Sequence, residues 1–402
     1  AERFETTFVD DVDGWKHVSV PVSEFTRSAD QPVGAPDDGL GLDEVWGYGF
    51  ELPPAAGTYL FDSVKKVPVP PPSELTVTTA ADAGPGSLRE AIGLIAEGGT
   101  IDVDPSLAGE TITLTSGQLM VMRGLTLDGS AADGLTISGD DTSRVFEIDA
   151  AADVTITDVV VRDGAAGPRG GGILNNGTLT LERVTVTDNA ENSAGPANFE
   201  FGGGGIYNAA GSTLNLIDST VSDNESVNHP GGGVFGFFGS TINVSGSTIS
   251  GNVAGDVAGG LRTLGNADIV NSTFSGNTST AWHGGGIFHT DGALTVTNST
   301  FTGNNAPAGT ASGIVVATFG APASAVLTNN ILEGNDGALA CFAEGGAAAT
   351  ITSGGGNIDN DGSCFLVEAT DQPNTDALLG PLADNGGLTL THLPGAGSPA
   401  ID

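Results

Sequence analysis

Basic side chains are scarce in this chain of 402 residues. It has 12 Lys and Arg residues against 49 Asp and Glu residues, which gives a formal net charge of −37. All its lysines lie in the first 66 residues, and after Arg183 the only Lys or Arg is Arg262. Phosphate backbones are bound by clustered Lys and Arg, so a nucleic-acid ligand is excluded and an anionic polymer is disfavoured. Such an acidic surface suits an extracellular medium, divalent cations or neutral sugars.

Long apolar runs and cysteines are scarce as well. No segment reaches the roughly 18 consecutive apolar residues that a membrane helix needs, so we predict no transmembrane segment. The two cysteines, Cys341 and Cys364, lie 23 residues apart with no histidine near them. This pattern favours a disulfide over a metal site, and a disulfide forms in an oxidising compartment. We therefore predict an extracellular or cell-surface location.

Glycine is abundant, with 63 residues, and it recurs in a regular pattern. Six runs of hydroxyl-bearing and β-branched residues end in asparagine, and a glycine-rich step such as Gly-Gly-Gly-Ile (284–287) recurs beside them. The closing asparagines lie 35, 28, 25, 27 and 31 residues apart, and they are Asn189, Asn224, Asn252, Asn277, Asn304 and Asn335. Two interleaved series with one shared period indicate a single supersecondary unit stacked on itself.

The repeated unit favours β structure, because it contains β-branched and small residues and no helical periodicity. We predict a right-handed parallel β-helix over residues 101–340, with about ten coils. The aligned asparagines should form a structural ladder from coil to coil. The serines and threonines of the runs should lie on a solvated sheet face, while the alternating Val, Ile and Phe side chains point inward.

The residues before the coils divide into three parts. Residues 1–66 are aromatic and Asp-rich, and a proline-rich linker (67–73) follows them. In residues 74–100, Ser87 and Glu90 form a capping box that predicts the start of a helix. Its apolar face should plug the N-terminal end of the β-helix, and this face contains Leu88, Ala91, Ile92 and Ile95.

Residues 74–402 resemble the β-helices of secreted bacterial surface proteins. The segment GSLREA (86–91) is similar to their CSLREA-type start, although Gly86 stands where that family usually has cysteine. The tail (341–402) resembles the C-terminal part of choice-of-anchor Q domains in its two cysteines and in the steps LGPL, DNGG and SPAID. The resemblance implies a bacterial cell-surface protein with a disulfide-containing C-terminal region.

The first 66 residues resemble another family. The strand WGYGF (46–50) and the polar loop before it are similar to the C-terminal half of galactose-binding-like jelly-roll modules, which bind carbohydrate. The resemblance implies a partial β-sandwich (jelly-roll) module, with Trp46 and Tyr48 lining a sugar site. It also implies a structural calcium at Asp62, and we expect no other cofactor.

Three lengthened coil segments suggest a binding face on the β-helix. They span residues 190–203, 225–232 and 278–285, and each precedes a glycine-rich step, so they should lie along one edge. Sugar sites combine aromatic rings with a few polar groups. The candidate ligand-binding residues at this edge are Phe199, Glu200, Phe201, His229, Arg262, Trp282 and His283. Alternatively, the rings only cover the neighbouring coil.

We predict that the protein is a secreted, noncatalytic adhesin or structural β-helix that recognises a glycan. The competing class is a polysaccharide hydrolase or lyase. A hydrolase needs two carboxylates in one cleft, and Asp188 and Asp223 occupy equivalent positions, but Gly251 and Gly276 replace them in later coils. We therefore predict no catalytic residue. A third possibility is a self-assembling subunit of an extracellular filament.

Overall fold

A computed structural model describes residues 4–5, 25–28, 70–195, 198–335 and 339–401. The chain divides into two compact units, Ala1–Pro68 and Val69–Asp402. In the first unit, the strands Phe4–Glu5 and Thr26–Arg27 pair in antiparallel fashion. Trp46, Tyr48 and Asp62 lie outside the described residues.

The second unit is a parallel β-solenoid in which the strands stack into four sheets. Sheet 1 contains Glu74–Val77, Gly99–Val103, Leu125–Asp128, Asp153–Thr157, Thr178–Glu182, Thr213–Ile217, Thr241–Ser245, Asn266–Val270, Gly292–Thr297, Ala323–Thr328 and Ala349–Gly355. Sheet 2 contains Thr111–Thr113, Thr136–Ser138, Val160–Arg162, Thr185–Thr187, Thr220–Ser222, Thr248–Ser250, Thr273–Ser275, Thr300–Thr302, Ile331–Glu333, Ile358–Asp359 and Gln372–Pro373. The predicted parallel β-helix is confirmed.

The other two sheets complete each turn of the solenoid. Sheet 3 contains Leu119–Val121, Phe146–Ile148, Ile173–Asn175, Ile206–Asn208, Val234–Gly236, Leu261–Thr263, Ile287–Thr290, Ala311–Ala317 and Leu339–Glu344. Sheet 4 is short and contains Ala165–Ala166, Ala190–Glu191, Glu225–Ser226, Val253–Ala254 and Thr278–Ser279. The lengthened coil segments connect sheet 4 to sheet 3.

The core forms because side chains alternate between the two faces of each strand. In the sheet 1 strand Thr178–Glu182, Leu179 and Leu181 are fully buried, whereas Thr180 is half-buried on the outer face. The same alternation repeats from coil to coil in register, so apolar side chains stack into columns. One continuous hydrophobic cluster results, and it extends from Val77 to Cys364.

The repeated asparagines form a buried ladder. Each Nδ2 group from Asn189 to Asn304 donates to the Oδ1 atom of the next asparagine, over 2.9–3.0 Å. Each Oδ1 atom from Asn224 to Asn335 also accepts the backbone N–H of the asparagine one coil earlier, as in the 3.0 Å bond from Asn224 to Asn252. The amides thus satisfy buried backbone donors that the turn would otherwise leave unpaired.

A second ladder corrects one expectation about the hydroxyl side chains. The first serine of four repeats is buried, because its Oγ atom accepts a backbone N–H from the preceding coil. These residues are Ser219, Ser247, Ser272 and Ser299. Asn330 and Asn357 continue the ladder with amide oxygens. The sequence pattern did not distinguish these corner serines from the solvated residues beside them.

The helix Leu88–Leu94 begins as the capping box predicts. The Oγ atom of Ser87 accepts the backbone N–H of Glu90 over 3.2 Å, and the Glu90 carboxylate accepts the N–H of Gly86 over 2.7 Å. The helix buries Leu88, Ala91 and Ile92 against the first coils, while Ile95 at its C-cap is fully buried. Two 3₁₀ turns, Pro105–Leu107 and Gly346–Ala348, complete the helical elements of the described residues.

The C-terminal region closes on the solenoid in two ways. Cys341 and Cys364 form the predicted disulfide. The antiparallel hairpin Leu379–Ala383 and Thr391–Pro394 is linked to sheet 2 by side-chain bonds. Thr248 Oγ1 donates to the Leu390 carbonyl over 2.6 Å, and His392 Nε2 lies 3.0 Å from Ser275 Oγ. The outer face of sheet 2 is therefore covered at these coils, and Thr248 is fully buried.

The turn beside the disulfide carries a pH-dependent carboxyl group. Burial, together with a hydrogen bond and repulsion from Asp361, raises the pKa of the Asp359 carboxyl to about 6, although the Cys364 N–H donates to it over 2.9 Å. A folded-state pKa above the unfolded value of about 3.9 gives stability that is present at low pH and is lost as the pH rises through about 6.

We therefore expect the amides around the disulfide to exchange faster at neutral pH than at about pH 4, after correction for intrinsic exchange rates. In Asp359→Asn this additional pH dependence should disappear, because no proton is lost. Asp384→Asn, at an exposed carboxyl, is the control and should keep the wild-type profile. An Asp359→Asn profile identical to wild type would contradict this assignment.

Candidate functional site

The lengthened coil segments place their aromatic side chains in two ring clusters and one separate ring pair. Phe199 belongs to one cluster, on the outer face of sheet 3, and Trp282 and His283 belong to the other. Phe199 is 48% exposed and Trp282 is 56% exposed. Phe201 is less exposed and packs edge-on against His229, with ring centroids 5.3 Å apart. Ring contacts do not join the two clusters within the part of the chain that the structure describes.

The larger group, which we call the phenylalanine cluster, consists of Phe199, Phe237, Phe238 and Phe319. Phe319 lies between Phe199 and Phe238, with ring centroids 5.3 and 5.7 Å away. Phe237 contacts Phe238 at 5.0 Å. These residues come from three different coils, so loops that are distant in sequence converge on one surface.

The inner rings of the cluster cover an aromatic layer on sheet 3. Tyr207 and Phe235 point outward from adjacent strands and are fully buried, with ring centroids 5.0 Å apart. Phe237 packs over both of them. The Arg169 guanidinium also lies over this layer, 5.3 Å from the Tyr207 ring centroid and 6.0 Å from that of Phe237. The layer supports the exposed rings from below.

Hydrogen bonds fix the turn that carries Phe199. The Glu200 carbonyl accepts bonds from Tyr207 Oη over 3.0 Å and from Arg169 Nε over 3.2 Å. The Glu200 carboxylate lies 3.7 Å from Arg169 Nη2, and both side chains are partly exposed. Glu200 and Arg169 therefore form a charged, solvent-accessible rim beside Phe199.

The turn that carries Phe319 is fixed by Asp291. One carboxylate oxygen, Oδ1, accepts the backbone N–H groups of Phe319, Gly320 and Ala321 over 3.0–3.1 Å. Burial alone would raise the pKa of Asp291, but these three donors and the nearby Arg262 hold it below its ordinary value. An ionised Asp291 thus organises the loop, and its lowered pKa disfavours a role as a proton donor.

Arg262 lies beneath the surface rather than at the exposed edge. It is 5% exposed, and its guanidinium donates to the carbonyls of Thr263 and Phe288 and to Thr290 Oγ1 over 3.0–3.1 Å. It also stacks on the Phe288 ring at 4.8 Å. Burial lowers the pKa of Arg262 to about 9. Arg262 therefore has a structural role and does not belong to the exposed edge.

His229 is likewise buried, at 1% exposed, so its ring is not presented to solvent. Its Nδ1 atom lies 2.8 Å from the Glu191 carboxylate, which also accepts a bond from Ser226 Oγ over 3.1 Å. Glu191 also accepts the backbone N–H of Ser193 over 2.9 Å, so the pair ties together two of the lengthened segments.

Trp282 and His283 lie in the second ring cluster. There the His283 ring stacks on Phe342, with ring centroids 5.4 Å apart, and its Nδ1 atom accepts the Ala311 N–H.

Turn conformation explains the exchange of aspartate for glycine in the repeats. Asp188 and Asp223 have φ values of 55° and 56°, and Gly251 and Gly276 have 67° and 66°. Left-handed backbone is adopted most readily by glycine and tolerated by aspartate and asparagine. The position is therefore selected for its backbone geometry, and Asp188 additionally lies 3.5 Å from Arg162. These aspartates need no catalytic role to account for their spacing.

Metal ligands are not grouped in the part of the chain that the structure describes. No set of three or more His, Cys, Asp and Glu side chains there is placed to hold a metal ion. Asp359 and Asp361 direct their carboxylates to backbone N–H groups, including those of Ser363 and Cys364, and so form a turn. Asp62 lies outside the described residues, and the calcium expected there stays a prediction.

Comparison with known proteins identifies the front of the chain. Residues 1–68 match the family model of Carbohydrate binding domain (family 11). The expected carbohydrate-binding type of the first 66 residues is confirmed to this extent. Among solved structures, ORF18 from Geobacillus virus E2 is similar over 67% of this chain and 61% of that chain, at 12% identity and a TM-score of 0.32. No curated protein matches the chain.

Proposed function

We propose that the chain is an extracellular, noncatalytic glycan-binding protein of the cell surface, in which a β-solenoid carries a carbohydrate-binding module. The match of residues 1–68 to a carbohydrate-binding domain is the observation that carries this proposal. The disulfide Cys341–Cys364 supports an oxidising, extracellular setting. Among the described residues, no helix is long and apolar enough to cross a membrane.

The noncatalytic part of the proposal is supported by the carboxylates of the solenoid. Glu200 is paired with Arg169, and the Oδ1 atom of Asp291 accepts three backbone N–H groups of a loop. A hydrolase would need one protonated and one ionised carboxyl group facing the same sugar. At the exposed rings of the phenylalanine cluster, the described carboxylates serve structural contacts instead.

Retention by polysaccharide tests the proposal. The intact chain is run in native gels that contain dextran, galactomannan, hydroxyethylcellulose or polygalacturonate, with and without calcium. We expect retarded migration with at least one neutral polymer, and none with polygalacturonate, because the chain carries a net charge of −37. Unretarded migration in every gel would contradict glycan binding.

A further inference from the structure

We propose that the phenylalanine cluster is a second carbohydrate contact, at which a neutral polysaccharide stacks on the rings of Phe199 and Phe319. This inference rests on the proposed glycan-binding function and adds to it a site on the solenoid. Apolar faces of sugar rings stack on aromatic rings, while neighbouring polar groups bind the hydroxyls. The cluster offers both, with Glu200 and Arg169 as the polar rim.

The exposed rings are held in place before any ligand binds. Phe199 follows Asn198, whose Oδ1 atom accepts the Glu200 N–H over 3.0 Å and so tightens the turn. Phe319 lies on the loop that Asp291 organises through three backbone N–H groups. Binding to such a surface orders few additional side chains, so little conformational entropy is lost.

Covering the neighbouring coil does not account for the two outer rings. Phe237 already packs on Tyr207 and Phe235, which are fully buried. Phe199 and Phe319 lie further out and remain 48% and 52% exposed although they contact each other. Neither belongs to a buried hydrophobic cluster of the described residues. Large apolar surface that stays exposed in a fixed geometry is typical of a binding site.

The charges around the cluster select a neutral glycan. Arg169 is paired with Glu200, and Arg262 is buried with its donors bonded to carbonyls and a hydroxyl. A uronate at the cluster would therefore meet Arg169 only together with the Glu200 carboxylate, and it would not reach Arg262. A carboxylated polymer would also meet the repulsion of the chain's net charge of −37. A neutral polysaccharide avoids this repulsion, and its hydroxyl groups can donate hydrogen bonds to the Glu200 carboxylate.

The test compares matched variants of the intact chain in the same retention gels. Phe199→Leu combined with Phe319→Leu keeps apolar bulk over the coils but removes the flat ring faces. Phe365→Leu is the control, because Phe365 is also a phenylalanine, is 50% exposed, and makes no ring contact with the cluster. We expect the double variant to weaken retention by a neutral polymer roughly tenfold and the control to leave it unchanged. Denaturation curves check that the variants and the wild-type chain are equally stable.

Three outcomes would overturn the inference in different ways. If the wild-type chain is retained and the double variant is retained equally, the cluster is not a glycan contact, although the proposed function stands. If the wild-type chain is not retained by any polymer, the proposed function itself fails and the inference fails with it. An equal loss in Phe365→Leu would also count against the cluster, because the effect would not be specific to these rings.

Discussion

Asn252→Ala is expected to lower the free energy of unfolding of the central coils by about 3–5 kcal/mol. Asn252 is fully buried, and its Oδ1 atom accepts bonds from both the backbone N–H and the Nδ2 group of Asn224 over 3.0 and 2.9 Å. Its Nδ2 group donates to the Val221 carbonyl and to Asn277 Oδ1, each over 2.9 Å. Alanine leaves the buried backbone N–H of Asn224 without its bond, at a cost of about 1–3 kcal/mol, and it removes one further bond each from Asn224 Nδ2, the Val221 carbonyl and Asn277 Oδ1.

Asn243→Ala provides a matched control in the same coil. Asn243 lies on the outer face of sheet 1, where its Nδ2 group donates to Asn215 Oδ1 over 2.8 Å, and water can replace that bond. We expect Asn243→Ala to lower the free energy of unfolding by less than about 1 kcal/mol. Hydrogen exchange of the backbone amides in the central coils measures both values. Similar losses in the two variants would show that the buried ladder does not stabilise the solenoid.

Asn252→Asp separates hydrogen bonding from packing. The aspartate side chain has nearly the same volume, so no cavity forms, but its carboxylate would face the Asn277 Oδ1 atom and the Val221 carbonyl without a donor. We expect it to destabilise the coils at least as much as alanine does at neutral pH, because an unpaired charge is buried. A mild effect of aspartate together with a large effect of alanine would instead indicate that the cavity is responsible.

Loss of the disulfide is expected to destabilise the C-terminal end by about 3 kcal/mol, from the entropy of the chain segment that it closes. The bond joins residues 23 positions apart, and both cysteines are buried. The double variant Cys341→Ala, Cys364→Ala removes the bond without introducing a buried polar group. We expect faster amide exchange over residues 339–364 and unchanged exchange in the coils before residue 188, because repeat units are coupled mainly to their neighbours.

The early coils serve as the internal control for this experiment. Equal acceleration of exchange in all coils would show that the solenoid unfolds as one cooperative unit, and the local account would then be wrong. Unchanged exchange near the disulfide would show that the surrounding bonds, such as the 2.9 Å bond from the Cys341 N–H to Ser363 Oγ, already hold the C-terminal end.

The fold could be predicted from the sequence because the residue pattern of one coil repeats along the chain. A position that recurs once per coil has the same environment each time, so the six asparagines could be assigned to one ladder. The binding surface was less predictable, because it depends on which loops meet. Phe199 was identified from the longest coil, but Phe237, Phe238 and Phe319 were missed. Their one signal is that aromatic residues follow the ends of equivalent sheet 3 strands.

The sequence also did not predict which polar residues are buried. His229 lies within a lengthened segment and Arg262 follows a glycine-rich step, and their residue types suggested an accessible edge. In the structure, Glu191 binds the Nδ1 atom of His229 and backbone carbonyls bind Arg262, both below the surface. A charged side chain becomes buried only where other coils supply hydrogen-bond partners for it. The sequence of a single repeat does not show which partners those are.

Noncatalytic glycan binding is tested by following the polymer and the protein together in the retention experiment. The intact chain is incubated with the neutral polysaccharide that retains it best, and samples are assayed for retention, polymer length, reducing ends and unsaturated ends. We expect retention with unchanged polymer length and no new ends. New reducing or unsaturated ends would contradict it, because they would show a polysaccharide-degrading enzyme rather than a noncatalytic glycan-binding protein.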